Sequence, residues 1–194
     1  MILPGFLPAG DCVRILDELA FAYWVPSTVV RPTRAGSSAI ELSPYRVSET
    51  TGEDWFSPDL RRVVRRLESR LCRQLQLDRL HLEPWQATRY RRGGKFEVHL
   101  DGGPPFRNEP AGDREVTILV YLETPELGGS TTFPELGLDV RAHAGTVVAW
   151  TNLTDDGNVD PKMKHSARPV RKGNKVTLTT WSRQRRIRVP EPKE

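Results

Sequence analysis

The chain has 194 residues, of which 37% are hydrophobic and 28% charged, with 16 prolines and 15 glycines spread along it. That length is enough to bury a core, and the composition excludes a collagen-like, fully disordered or disulfide-scaffold chain. No apolar run reaches the roughly 18 residues of a membrane-spanning helix. The two cysteines are too few for a disulfide framework and predict a reducing, cytoplasmic environment. We therefore expect one soluble domain over residues 1–194 that has no membrane partner.

The charge balance is basic, because 29 Lys and Arg residues against 25 Asp and Glu residues give a net charge of +4. Clustered basic residues are typical of proteins that bind nucleic acid, but a solvated helix face has the same composition. The tail from residue 184 to 194 is also basic, and we expect it to be partly frayed. Much of the positive charge lies on one segment that contains Arg61, Arg62, Arg65, Arg66, Arg70 and Arg73.

Two helices are predicted in the first half of the chain. Asp11 is a candidate N-cap for a short helix with apolar residues at helical spacing. A second helix should begin after Ser57, because Pro58 suits the first helical position. Short strands are expected around Val29 and Ile40, between the two helices. The apolar stripe of the second helix consists of Leu60, Val63, Val64, Leu67, Leu71 and Leu75.

Short β segments separated by turn residues follow after Leu77. About eight such strands predict a sandwich or barrel, and a double-sheet jelly roll protects its strand edges in this way. We therefore predict a mainly β fold, with a jelly-roll (double-stranded β-helix) core and two N-terminal supporting helices. The predicted strands are Trp85–Tyr90, Lys95–Leu100, Glu115–Leu122, Ser130–Phe133, Leu138–Ala142, Thr146–Thr151, Lys164–Val170 and Lys175–Ser182.

A His-x-Asp pair, His99 and Asp101, lies at the end of one predicted strand. Residues i and i+2 of a strand share a face, so the two side chains can converge on one point. Two imidazoles and one carboxylate on one side of a metal are the pattern of non-haem Fe(II) oxygenases. On spacing alone, either His143 or His165 can supply the second imidazole.

Several longer motifs occur in one order: RYRRGGKFEVHLD, REVTILVYL, GGSTTFP and HSARPVRKGNKVTLTTW. Together with PGFLPAGDC and YRVSETTG nearer the start, they resemble the prolyl 4-hydroxylase-type 2-oxoglutarate, Fe(II)-dependent dioxygenases. The resemblance covers nearly the whole chain. It implies a jelly-roll core, an iron held by His-x-Asp and a distal His, and 2-oxoglutarate and O2 as cosubstrates, with ascorbate as the reductant.

The resemblance also implies roles for individual residues. His99, Asp101 and His165 match the metal ligands, since Lys175 follows His165 in the family's Gly-x-Lys pattern. Lys175 matches the residue that pairs with the distal carboxylate of 2-oxoglutarate. Two further residues that match contacts of that carboxylate are Tyr90 and Thr131.

Four other residues match positions of the family that contact substrate or line the cavity: Arg46, Ser48, Arg114 and Trp181. The chain departs from the pattern at Gly102-Gly103-Pro104-Pro105, which replaces an aromatic-containing segment, and at the arginine-bearing stretch RPTRAGSSA before Tyr45. Both departures concern the substrate and leave the metal centre unchanged.

The resemblance implies hydroxylation of an unactivated C–H bond, with a prolyl residue of a peptide or protein as the expected substrate and succinate and CO2 as co-products. Two alternatives remain open at this point. The first is hydroxylation of a free amino acid or another small metabolite. The second is a catalytically silent module that binds nucleic acid through the arginine-rich helix, against which the intact set of candidate ligands counts.

Overall fold

A computed structural model describes residues 1–32, 38–104 and 106–189. Helix α1 comprises Ala9–Leu19 and helix α2 comprises Pro58–Leu75. The backbone N–H of Leu60 donates to Oγ of Ser57 at 3.0 Å, which confirms Ser57 as the cap of α2. Helix α1 begins before Asp11, so the prediction of Asp11 as its cap was wrong. Asp11 lies in the first turn instead, where a carboxylate favourably faces the positive end of the helix dipole.

The described strands pair antiparallel throughout. The strands up to residue 100 are β1 Ile2–Leu3, β2 Val25–Pro26, β3 Thr28–Pro32, β4 Ser38–Leu42, β5 Arg46–Val47, β6 Glu49–Gly52, β7 Gln86–Tyr90 and β8 Lys95–His99. The later strands are β9 Arg114–Glu123, β10 Leu127–Gly128, β11 Thr131–Phe133, β12 Leu138–Val140, β13 Val147–Thr151, β14 His165–Ala167, β15 Val170–Lys172 and β16 Lys175–Arg183.

Two sheets form the β core. The larger has the strand order β1-β13-β9-β16-β7-β6-β2, and the smaller has the order β12-β11-β14-β8-β5. Two-stranded sheets β10-β15 and β3-β4 complete the described pairing. This arrangement confirms the predicted mainly β, jelly-roll fold with two supporting helices. The strand predicted at residues 164–170 is divided into β14 and β15, because Pro169 lacks the N–H that a continuous ladder needs.

The two faces of the larger sheet differ in polarity. Its outer face packs against α1 and α2 in one apolar cluster, and both cysteines are buried there as free thiols. Its inner face carries polar residues at alternate positions of β7, β9 and β16. This alternation has the period of two that a strand imposes, so one face builds the core and the other lines a cavity. The members of the cluster include Ile15, Leu60, Leu67, Ala87, Ile118, Val120 and Leu178.

Residues 184–189 follow β16 and are held against the domain. Nη1 of Arg188 donates to both carboxylate oxygens of the buried Glu68 at 3.0 Å, and Nε of Arg188 donates to the carbonyl of Leu82 at 2.7 Å. Arg188 is therefore held by hydrogen bonds, whereas residues 190–194 lie outside the described residues, so a partly frayed tail stays a prediction. Residues 33–37, within the stretch RPTRAGSSA, also lie outside them. Within the described part of the chain, neither helix is long and apolar enough to cross a membrane.

Candidate active site

His99, Asp101 and His165 meet where β8 and β14 lie side by side. His165 pairs in register with His99, and Asp101 lies two residues after His99 in the sequence. One nitrogen or oxygen atom from each of the three side chains lies within 4.8 Å of the others. Nε2 of His99 is 3.6 Å from Oδ1 of Asp101, and Nε2 of His165 is 3.5 Å from Oδ2. Of the two histidines that spacing left open, His165 joins this group and His143 is exposed on the surface.

Both imidazoles are oriented by backbone carbonyls. Nδ1 of His99 lies 2.8 Å from the carbonyl oxygen of Glu97, and Nδ1 of His165 lies 2.9 Å from that of Met163. Because a carbonyl only accepts, each Nδ1 carries the hydrogen and each Nε2 presents its lone pair to the centre. Burial and the neighbouring His165 hold the pKa of His99 well below its ordinary value, which keeps the ring neutral. These donors fit Fe(II).

Asp101 is buried, and its carboxylate is surrounded by polar partners. The hydroxyl of Thr117, on β9, donates to Oδ2 of Asp101 at 2.8 Å. Burial opposes ionisation of this carboxyl group, but His165, His99 and Thr117 outweigh burial and lower its pKa below the ordinary value. Asp101 is therefore ionised at neutral pH, as a metal-ligating carboxylate has to be.

Lys175 carries a buried amino group on the opposite side of the cavity. It is 2% exposed and pairs in register with Tyr90 across β16 and β7. Its Nζ lies 5.1 Å from the centre of the Tyr90 ring and 5.4 Å from that of Tyr121. Burial lowers the pKa of Lys175 to about 7, and no carboxylate of the described residues forms an ion pair with it. A buried ammonium of this kind is stabilised by an anionic ligand, so the residues present fit a dicarboxylate.

Two hydroxyl groups stand beside Lys175. The hydroxyl of Tyr121 donates to Oγ1 of Thr131 at 2.7 Å, so the hydrogen of Thr131 is left for a ligand. Burial raises the pKa of Tyr90 above its ordinary value, which keeps its hydroxyl protonated and able to donate. Lys175, Tyr90 and Thr131 all line the same cavity, so their donors are available to one carboxylate.

A cavity of about 490 Å³ connects the histidine–aspartate group with Lys175 between the two sheets. Of the four predicted substrate residues, Arg46, Arg114 and Trp181 line it and Ser48 does not. The hydroxyl of Ser48 donates to Oγ of Ser27 at 2.8 Å, and its oxygen accepts from Nε of Arg46 at 3.4 Å. Ser48 therefore lies next to Arg46 but outside the lining of the cavity.

Arg46 enters the cavity from β5 at the mouth. Its Nη1 donates to the carbonyl of Thr28 at 2.9 Å, and its guanidinium carbon lies 4.8 Å from the centre of the Phe96 ring. The Phe96 ring in turn stacks on the ring of His99, with centroids 3.6 Å apart. Arg46, Phe96 and His99 form one continuous stack, so a substrate that contacts Arg46 comes close to the candidate ligands.

Arg114 and Trp181 form the opposite wall together with Phe106. The Arg114 guanidinium carbon lies 3.7 Å from the ring centroid of Trp181 and 3.9 Å from that of Phe106. Glu83 accepts from Nε of Arg114 at 2.8 Å and from Nη2 at 2.7 Å. Burial opposes ionisation of Glu83, but Arg114 and Arg183 lower its pKa below the ordinary value. The wall is thus a planar cation held between two aromatic rings.

Five residues of this site were missed by the sequence reasoning: Phe106, Glu83, Thr117, Asn152 and Tyr121. Thr117 had a visible signal, since it is a polar residue at an inward position of an otherwise apolar strand. Tyr121 lies on the same face of β9, four residues further on. Phe106 and Glu83 gave no local signal, because their roles arise from contacts with residues distant in sequence.

Comparisons with known proteins agree with this geometry. A family model described as the 2OG-Fe(II) oxygenase superfamily matches residues 85–183. Prolyl 4-hydroxylase subunit alpha-1 of Mus musculus is 33% identical over 178 residues, which are 89% of this chain and 32% of the relative. The same subunit of Gallus gallus is 36% identical over 178 residues, or 89% of this chain and 33% of the relative. The chain spans about one third of the length of these curated relatives.

Solved structures show the same fold. The viral collagen prolyl hydroxylase of Paramecium Bursaria Chlorella virus-1, solved with 2OG, has a TM-score of 0.69 and 23% identity, covering 94% of each chain. A Pseudomonas putida prolyl-4-hydroxylase has a TM-score of 0.63 and 21% identity, covering 95% of this chain and 92% of that one. The family match spans both the histidine–aspartate group and Lys175. On this evidence, the chain belongs to the 2OG-Fe(II) oxygenase superfamily.

Proposed function

We propose that this protein is an Fe(II)- and 2-oxoglutarate-dependent hydroxylase of prolyl residues in a peptide or protein, with residues 1–194 as a single domain. One observation carries the proposal. The His–Asp–His donor set shares one cavity with Lys175, which is buried and forms no ion pair with any described residue. The two groups suit the two parts of the reaction, since the first binds a metal and the second binds a dicarboxylate.

The chain's own residues have separable tasks in this reaction. His99, Asp101 and His165 hold the metal, and Lys175 with Tyr90 and Thr131 binds the distal carboxylate of 2-oxoglutarate. Fe(II) with 2-oxoglutarate and O2 supplies the oxidation, in which the C–H bond gains one oxygen atom and 2-oxoglutarate becomes succinate and CO2. The protein positions the C–H bond and excludes water, with ascorbate as the external reductant.

The prolyl substrate is supported by the relatives and by the shape of the cavity. The relatives with 33% and 36% identity are prolyl 4-hydroxylase subunits. A structure of similar fold from Trichoplax adhaerens, 14% identical, is a prolyl hydroxylase in complex with a hypoxia inducible factor peptide fragment. The flat wall of Trp181, Arg114 and Phe106 suits packing against an apolar ring. Arg114 retains Nη1 as a donor for a peptide carbonyl, since Nε and Nη2 are bonded to Glu83.

The two alternatives are less well supported. For a free amino acid, one observation is favourable, because Arg46 bonds only to uncharged groups among the described residues and is available to a carboxylate, but the curated relatives are prolyl 4-hydroxylase subunits. The arginines of α2 other than Arg61 are exposed, as on any solvated helix face, and a nucleic-acid module has no use for the His–Asp–His group and Lys175 in one cavity. We also propose a cytoplasmic location, which the two free thiols support.

The experiment that tests the proposal is succinate formation from 2-oxoglutarate with Fe(II) and ascorbate. The substrates are a proline-rich peptide, the same peptide with alanine in place of proline, free amino acids and no addition. We expect stimulation by the proline peptide alone, with a gain of one oxygen atom in its mass. The Asp101→Ala variant is the control, and it should form no succinate above background.

Other outcomes separate the alternatives. Stimulation by a free amino acid and not by the peptides would overturn the peptide substrate and keep the hydroxylase. Salt-dependent binding of a polyanion that is equal in the parent and Asp101→Ala, with no succinate from any substrate, would favour the nucleic-acid module.

A further inference from the structure

A chain of buried hydrogen bonds continues behind Asp101. The hydroxyl of Thr117 donates to Oδ2 of Asp101 at 2.8 Å, and Nδ2 of Asn152 donates to Oγ1 of Thr117 at 2.8 Å. Thr117 and Asn152 are 0% and 1% exposed, so bulk water does not compete for these bonds. The relay joins β9 and the residue that follows β13 to the carboxylate at the centre of the site.

The direction of this relay is fixed by the carboxylate. An ionised Asp101 only accepts, so Thr117 gives it the single hydroxyl hydrogen. The lone pairs of Thr117 then face Asn152, which has to present its amide nitrogen. Oδ1 of Asn152 is left buried without a hydrogen-bond partner in the described part of the chain. A buried oxygen without a hydrogen bond is energetically unfavourable. The hydrogen bond to Thr117 therefore keeps the Asn152 amide in this orientation despite that energetic cost.

The segment 152–163 also reaches a second member of the triad. Asn152 begins this segment, and its backbone carbonyl accepts from the N–H of Asp160 at 2.9 Å, which closes the loop on itself. Met163 ends the segment, and its carbonyl lies 2.9 Å from Nδ1 of His165. One loop therefore orients Asp101 through the relay at its start and His165 directly at its end.

We propose that Thr117 and Asn152 are positioning residues of the metal centre. They fix the plane of the Asp101 carboxylate before a metal binds, and segment 152–163 couples that plane to the ring of His165. The inference rests on the proposed function, because it takes Asp101 as a metal ligand. Removal of partners that orient metal ligands typically weakens metal binding about 10- to 100-fold.

The test is the affinity for Mn(II), measured by calorimetric titration in the presence of 2-oxoglutarate. Mn(II) stands in for Fe(II) without redox chemistry. Thr117→Val keeps the shape of the side chain and removes the hydroxyl, and we expect about 10- to 100-fold weaker binding. Thr117→Ser restores the hydroxyl and should bring the affinity back to within a few-fold of the parent, roughly. Asn152→Leu should weaken binding in the same direction as Thr117→Val. Circular dichroism and the melting temperature verify that each variant is folded.

Thr51→Val is the matched control. Thr51 is also buried in the larger sheet, but its hydroxyl has no hydrogen-bond partner among the described residues, so its removal should leave Mn(II) affinity unchanged. Parent-like affinity in folded Thr117→Val would overturn the relay and leave the proposed function intact, provided that Asp101→Ala abolishes binding. Equal loss in Thr117→Val and Thr117→Ser would also overturn it. Failure of the parent to bind Mn(II) would overturn the proposed function itself.

Discussion

Glu83 forms a bidentate ion pair with Arg114, with N–O distances of 2.8 and 2.7 Å, and so fixes the position of Arg114 in the cavity wall. The same carboxylate accepts from Nη1 of Arg183 at 2.8 Å, and Nη2 of Arg183 bonds to Glu109 and to the carbonyl of Gly112. The two acids and two arginines balance in charge. Through them the wall of the cavity is connected to the segment that follows Asp101 in the chain.

Substitution Glu83→Gln should destabilise the protein and weaken peptide binding. It leaves the charges of Arg114 and Arg183 without their shared partner, and breaking a buried pair in this way costs on the order of 3 kcal/mol. Urea denaturation measures the loss. The control is Glu126→Gln, which breaks the exposed pair with Lys172 and should change the free energy of unfolding by less than about 1 kcal/mol. Equal effects of the two substitutions would contradict the buried network.

Substitutions of the candidate ligands should abolish turnover without unfolding the protein. Asp101→Ala and His165→Ala each remove one donor of three, and we expect Fe(II)-dependent succinate formation to fall more than about 100-fold. His143→Ala is the matched control, because this exposed histidine lies outside the group. Full activity in His165→Ala, with a metal content equal to the parent, would show that the third ligand is another residue.

Lys175→Met should raise the concentration of 2-oxoglutarate that half-saturates the enzyme. Loss of a hydrogen bond to a charged group costs about 1.5–3 kcal/mol, which is about 10- to 100-fold in affinity. Initial rates of succinate formation against 2-oxoglutarate concentration measure the effect. Lys172→Met removes an exposed lysine instead and should leave the curve unchanged.

Without 2-oxoglutarate, Lys175 should make stability depend on pH. The pKa of Lys175 is about 7 in the folded protein and about 10.4 when unfolded, so the unfolded state binds more protons between these values. The free energy of unfolding of the parent should therefore rise relative to Lys175→Met as pH increases from 7 towards 10. Urea unfolding at pH 7 and pH 9 tests this, and a constant difference between the two proteins would contradict a strongly perturbed lysine.

The sequence predicted the parts of the site that follow from strand geometry. The spacing of His99 and Asp101 predicts that they share a strand face, and the resemblance to a family indicated His165 and Lys175, which line the same cavity in the structure. The lining of the larger sheet also follows the period of two. These features depend on the local geometry of a strand, and the alternation of residue types along the sequence indicates that geometry.

Other features required the packed structure. Ser48 lies outside the lining of the cavity, and its hydroxyl donates to Ser27, a residue between β2 and β3 that is distant in sequence. Phe106 lies in a segment of glycines and prolines without a periodic pattern, and its place in the cavity wall comes from contacts with Arg114 and Arg183, which are strand residues on β9 and β16. The bond between Arg188 and Glu68 was not predicted, because nothing near Arg188 in the sequence shows that Glu68 is buried within its reach.

The position of β16 has a consequence for how the protein is made. This strand lies between β7 and β9 in the larger sheet, all of its residues are buried, and it comes last among the described strands. During synthesis, β7 and β9 leave the ribosome earlier and present unpaired edges until β16 is available to join them. A nascent chain that stops before residue 175 therefore exposes the unpaired, aggregation-prone edges of β7 and β9 and cannot form the cavity. We expect such truncated chains to aggregate or to need a chaperone.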